Sequence, residues 1–161
     1  MQILFVRHAT ANLAGRGGDA ARKLTDKGLQ EARMLADALE AMGVSVGKVL
    51  TSPLVRAAQT AAILGQRMGA LVEETDLLGP GGDRDELRSV LKQLAAEGVQ
   101  TVALVGHTPT LEQMIGELIA GSPSVGLSLS KAGAALVELA DNARSAELRR
   151  LLRRSQLDLM R

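Results

Sequence analysis

The runs Ile3-Leu4-Phe5-Val6-Arg7-His8-Ala9-Thr10 and Thr101-Val102-Ala103-Leu104-Val105-Gly106-His107-Thr108-Pro109 decide the fold. Each is an apolar stretch of strand length that stops at a histidine. Polar residues are missing from both alternating faces, so both faces must be covered, as for a strand inside a parallel sheet flanked by helices. Val46 to Leu50 is a third run of this kind. Between the runs lie helical patterns. Leu29, Ala32, Ala36 and Leu39 recur at three and four, with Gly43 as a stop. Leu54, Ala57, Ala61, Leu64 and Met68 do the same, with Ser52 as the expected N-cap, Pro53 in the first turn and Gly69 at the end. Leu87, Val90, Leu91 and Leu94 follow Asp83 and Glu86, a capping-box spacing. Leu111, Met114, Ile115, Leu118 and Ile119 follow Thr108, the expected cap, and Pro109. Ala134 to Leu139 reads as a strand. Ala146 to Leu152 has a helical composition, but as a strand after an Asp141-Asn142 turn it would complete the sheet. The alternation predicts an α/β three-layer sandwich with a mostly parallel central sheet, in one domain over residues 1–161.

Composition removes several function classes. The 161 residues hold no Cys, so disulfides, thiolate metal sites and a Cys nucleophile are excluded. Formal net charge is +1 and Phe5 is the only aromatic residue, which leaves neither a global basic field nor stacking platforms for nucleic acid. No apolar run reaches the roughly 18 residues of a membrane span, and Met1 leads directly into the first strand without a signal peptide. A cytoplasmic location is the expectation. The basic tail of Arg149, Arg150, Arg153, Arg154 and Arg161, opposed by Asp158, reads as a solvated face. An Ala/Leu-rich surface serves core or interface equally, so oligomeric state is not set. Gly79-Pro80-Gly81-Gly82-Asp83 lacks the Gly-Lys-Ser/Thr ending of a nucleotide-binding loop and reads as turn plus cap.

In open α/β sheets, ligands bind beyond the carboxyl ends of the strands. The chain has two histidines, and each directly follows a buried run at that edge. Either one alone reads equally well as a structural histidine. Together with Arg7 and with Arg56 after the second run, they make a dianion site. Guanidinium forks match phosphate oxygens, and helix N-termini beginning near Ser52 and Thr108 add backbone N–H groups. Neighbouring arginine charge disfavours a further cation, so an imidazole there stays neutral and keeps a lone pair able to attack phosphorus. Two histidines without a carboxylate cluster do not form a metal centre, so no metal or other cofactor is expected.

Leu4-Phe5-Val6-Arg7-His8-Ala9-Thr10-Ala11 resembles the Arg-His-Gly signature of the histidine phosphatase superfamily, with the phosphoglycerate mutase-like fold. Ser52-Pro53-Leu54-Val55-Arg56-Ala57-Ala58-Gln59-Thr60 resembles its second motif and Gly106-His107-Thr108-Pro109 its third. Arg22-Lys23-Leu24-Thr25-Asp26-Lys27-Gly28 is similar to the segment that opens its first helix. Order, spacing and small size most resemble the SixA-type phosphohistidine phosphatases. The resemblance implies His8 as the phosphorylated nucleophile, with Arg7, Arg56 and His107 around the transferring phosphoryl group. Arg22 is a candidate for meeting substrate at the rim, and Thr108 a candidate for binding it. Ala9 departs from the family glycine. Many superfamily members also carry an acid for the leaving group; here Asp83, Asp85 and Glu86 are the candidates, and Asp83 and Glu86 already read as a helix cap.

A leaving imidazole, whose conjugate acid has a pKa near about 6.5, needs little protonation, whereas a sugar alkoxide needs much. The short connection from Gly69 to Val102 implies an open pocket suited to a phosphorylated side chain on another protein. The expectation is a metal-independent phosphatase acting on phosphohistidine of a partner such as a histidine phosphotransfer domain. The alternatives are a phosphatase of small phosphate esters or pyrophosphate metabolites, and a non-catalytic phosphoprotein-binding module.

Overall fold

In a computed structural model, which describes residues 1–141 and 145–160, strand β1 (Gln2–Arg7) lies inside a six-stranded sheet of order β3-β2-β4-β1-β5-β6. The other strands are β2 (Lys48–Thr51), β3 (Leu71–Glu74), β4 (Thr101–Gly106), β5 (Ala134–Leu139) and β6 (Ala146–Leu152). β1 through β4 run parallel, while β5 and β6 are antiparallel additions at one edge. The result is an α/β/α sandwich with a mixed, mostly parallel sheet. Ala146 to Leu152 is a strand, as the sheet-completion reading held. Asn142, in the expected turn, and Arg161, in the basic tail, lie outside the described residues.

The uninterrupted apolar runs follow from two-sided burial. On β1, Leu4 and Val6 join the core on one face, and Ile3 and Phe5 the core on the other. On β4, Ala103 and Val105 oppose Val102 and Leu104 in the same way. Helices α1 (Asp26–Ala41) and α2 (Val55–Met68) contribute Leu35, Leu39, Ala57 and Leu64 to the first core. Helices α3 (Arg84–Ala96) and α4 (Thr110–Ala120) contribute Leu87, Leu91, Leu111 and Ile115 to the second. Gly69 and Gly121 end α2 and α4 at φ 63° and 66°, the left-handed conformation that glycine adopts without a Cβ clash.

Three local readings change. β2 begins at Lys48, after Val46, although Val46 is buried. Ser52 does not cap α2: the cap position is Leu54, whose N–H donates to Ser52 Oγ at 3.2 Å before the helix starts. Thr108 does not cap α4: Pro109 takes that position with no side-chain cap, and the Thr108–Pro109 peptide is cis. Asp83 does cap α3, accepting from the N–H groups of Asp85 and Glu86.

The basic tail is a solvated face at Arg149, Arg150 and Arg153, which are exposed, and is engaged at Arg154. Arg149 pairs with Glu138 and Glu147. Arg154, opening the short helix α5 (Arg154–Leu157), pairs at 3.1 Å with Glu31, a carboxylate only 4% exposed. Strand β6 returns the chain to α1, and these neighbours supply the countercharges.

Glu31 also accepts from the Thr10 N–H at 3.0 Å and the Thr10 hydroxyl at 3.1 Å. The start of α1 closes on the same residue. Thr25, the α1 N-cap, bonds the Thr10 carbonyl through its N–H at 3.0 Å, and a Cβ built on Gly28 would lie 1.9 Å from that carbonyl oxygen. Gly28→Ala therefore forces the helix off the loop that follows His8. We expect it to lower unfolding free energy by about 1–3 kcal/mol, read as a lower urea midpoint with unchanged slope.

Candidate active site

The parallel strands end at one edge of the sheet, and the chemistry-bearing side chains gather there. His8 follows β1 and is locked through its backbone. Its N–H donates to Gly106 of β4 at 3.1 Å, and its carbonyl accepts from Ala132 at 3.2 Å. The residue is 8% exposed. His8 Nδ1 lies 2.8 Å from the Ala9 carbonyl, which only accepts, so Nδ1 carries the proton and donates. Nε2 keeps the lone pair and accepts from Arg56 Nε–H at 3.3 Å. Ala9, standing where the family signature has glycine, fits without exposure beside Leu24, Ala32 and Ala132. Its N–H donates to Thr60 Oγ1 at 3.2 Å, and that hydroxyl donates to the Arg56 carbonyl at 2.8 Å. The loop after β1 and the start of α2 are thus tied together.

His107 follows β4, with its ring centroid 5.2 Å from that of His8 and the planes 55° apart. Its Nε2 is 2.7 Å from Ser52 Oγ. That oxygen also accepts from Leu54 N–H at 3.2 Å. Arg7 is held by an Nη1 bond to the Leu129 carbonyl at 2.9 Å. Among the described residues, the buried side-chain nitrogens without a hydrogen-bond partner are Arg7 Nε and His107 Nδ1. Both flank His8 in sequence or in space, and unpaired buried nitrogens of this kind are rare.

Burial is the main reason both imidazoles stay neutral. It lowers the pKa of His8 from 6.5 to about 4, aided by the positive charges of Arg56, Arg7 and Lys131 and opposed by the bond to Ala9. Burial likewise lowers His107 to about 4, with His8, Arg56 and Arg7 adding to the effect and Asp19 opposing it. Lys131, absent from the reading of the sequence, enters because the turn before β5 comes back over the end of β1.

The cleft at this edge, about 360 Å³, is lined by Arg56, His107, Thr108, Asp19, Arg84 and the glycine-rich turn from Gly79 to Gly82, among others. Thr108 is thus on its wall. Arg22 reaches the site through Asp19: its Nη1 donates to Asp19 Oδ1 at 3.1 Å, and its Nε to the Asn12 carbonyl at 2.6 Å. Asp83 and Glu86 are outside the lining; the carboxylate in it is that of Asp19. Asp19 and Ser52 are the residues the sequence did not single out for chemistry. Ser52 carried a signal, since it begins the second motif. A larger hollow of about 550 Å³ at the opposite end of the sheet is lined by Gln2, Gly47, Gln100, Thr101 and Arg150, among others, with no histidine or carboxylate.

Comparison with known proteins identifies the family and the fold. Residues 3–79 match the family described as histidine phosphatase superfamily (branch 1). The chain is 33% identical to phosphohistidine phosphatase SixA of Escherichia coli K12, over 75% of this chain and 76% of that protein. It is 29% identical to the SixA homolog of Haemophilus influenzae, over 73% of this chain and 77% of that one. The solved structure of the protein histidine phosphatase SixA complexed with tungstate superimposes with a TM-score of 0.86 at 29% identity, covering 98% of this chain and 99% of that one. The chain belongs to the SixA type of the histidine phosphatase superfamily.

Proposed function

We propose that the protein dephosphorylates phosphohistidine on a partner protein, such as a histidine phosphotransfer domain, through a covalent phosphoryl group on His8. The observation that carries this reading is the fixed tautomer of His8: Nδ1–H is committed to Ala9, and Nε2 presents its lone pair beside Arg56 Nε. In the first step the Nε2 lone pair attacks phosphorus. The other nitrogen of the substrate imidazole carries a proton from solvent, so when the P–N bond breaks its electron pair leaves with a neutral ring. In the second step a water oxygen attacks phosphorus and releases a proton to solvent. The P–Nε2 bond breaks, its electrons return to Nε2, and inorganic phosphate leaves. Arg7, Arg56 and, with its proton on Nδ1, His107 donate to the phosphoryl oxygens as charge builds.

The carboxylates favour a nitrogen leaving group. Asp19, in the cleft, has its pKa lowered by hydrogen bonds from Arg22 and Arg56, so it is ionised and has no proton to give. Asp83 is committed to the α3 cap. A phosphoramidate bond can break without a strong acid, whereas an alkoxide leaving group cannot. The names of the SixA relatives support the same substrate class.

A generic phosphodonor is expected to label the protein with an acid-labile, base-stable phosphate that His8→Ala abolishes. Turnover of a phosphohistidine protein should exceed that of p-nitrophenyl phosphate and sugar phosphates. Failure to label with any donor, or preference for the esters, overturns the reading. Arg56→Ala should lower kcat by about 10²–10³-fold, as loss of one preorganised charge donor does elsewhere. EDTA should leave activity unchanged, because the arginines supply the charge neutralisation.

The imidazoles give a pH signature. Unfolded histidine binds its proton near 6.5, whereas folded His8 and His107 do so near 4. Their NMR resonances should therefore remain those of neutral rings down to pH 5. The unfolded state binds more protons between these values, so unfolding free energy should fall as pH drops from 6.5 toward 4. Titration of both rings with midpoints near 6.5 would refute this.

A further inference from the structure

Arg56 makes three side-chain hydrogen bonds, and two of them end on one residue. Nη1 donates to the Asp19 main-chain oxygen at 2.9 Å, and Nη2 to Asp19 Oδ2 at 3.1 Å. The other carboxylate oxygen, Oδ1, accepts from Arg22 at 3.1 Å, so one carboxylate bridges two guanidinium groups. The third Arg56 bond, from Nε, goes to His8 Nε2. A phosphoryl group on Nε2 takes away the lone pair that accepts this Nε–H and brings its own oxygens to the same guanidinium. Phosphoryl group and carboxylate therefore compete for one set of donors, and both are negative.

The loop that carries Asp19 is built to yield. Asp19 begins a single turn, Asp19–Ala21, after Gly15, Gly17 and Gly18, the last at φ 71°. Its side chain is 62% exposed, while Arg56 beneath it is 7% exposed. Outward movement of the loop disrupts no buried packing, because no residue of the turn is buried. Arg22, whose Nε donates to the Asn12 carbonyl, is the second countercharge of this carboxylate.

We propose that Asp19 is a specificity-determining residue: its carboxylate holds Arg56 until a phosphoryl dianion displaces it, so the site turns away the carboxylates of an unphosphorylated partner. The proposal rests on His8 and Arg56 forming the phosphoryl site. A tethered carboxylate acts at high effective concentration, and a free one replacing it exchanges like for like with no gain. A phosphoryl group carries more charge and three acceptor oxygens, so it gains from the exchange.

Calorimetric titration at pH 7.5 with inorganic phosphate, and separately with acetate, tests this on wild type, Asp19→Asn and Asp19→Ala. Removing the competing charge should tighten phosphate by about tenfold in both variants, a typical size for a close charge pair at a partly exposed site. Acetate binding should rise by a larger factor, so the preference for phosphate over acetate falls. Adding Arg56→Gln should abolish both gains. Phosphate affinity that is unchanged or weaker in the variants, the result if Asp19 merely aligned Arg56, overturns the proposal. A gain in phosphate affinity without turnover of phosphohistidine protein would instead sink the proposed function and leave this proposal intact.

Discussion

The site depends on keeping an imidazole uncharged against a guanidinium. Water would let either group drift, and screening would let both be charged. Here the backbone of β1 delivers His8 into a buried position, and the Ala9 carbonyl accepts its Nδ1 proton. Desolvation and arginine charge then act in the same direction on the remaining nitrogen. The rest of the architecture holds this arrangement still. Gly106 and Ala132 fix the His8 peptide, Thr60 couples Ala9 to α2, and Glu31 fixes Thr10.

His107 repeats the pattern at the end of β4, but with a different partner. Ser52, from the end of β2, bonds its Nε2 and leaves Nδ1 without a partner. Residues from the ends of β1, β2 and β4 thus meet because those strands are neighbours through β4 in the sheet order. Parallel strands bring their carboxyl ends to one edge, so residues far apart in sequence converge without a long loop having to fold over them.

The strands that carry the site were legible because two-sided burial leaves a plain mark, an apolar run with no alternation. Ile3 to Val6 and Thr101 to Val105 show it, and each runs straight into a histidine. The helix starts were less legible. Ser52 and Thr108 look like caps because Ser or Thr before proline usually is one, but the hydroxyl of Ser52 is drawn to His107, and Thr108 precedes a cap position taken by proline. Asp19 could not be read at all. It sits in an aperiodic glycine-rich stretch, and its meaning arises only when the loop folds back onto Arg56, 37 positions away. The pairing of Arg154 was illegible for a related reason: Glu31, its partner, is distant in the chain.

The position of β1 has a consequence for how the chain reaches this state. Its two neighbours are β4 and β5, so the strand that presents His8 is bordered on one side by residues from Thr101 and on the other by residues from Ala134. The earliest-made strand must therefore wait for two of the later ones. Such distant pairings slow folding, because a long loop has to close before any contact rewards it. On the ribosome, a nascent chain that has emerged only through α4 holds every member of the histidine–arginine quartet, yet the edge of β1 facing β5 is still unpaired and open to a stray strand.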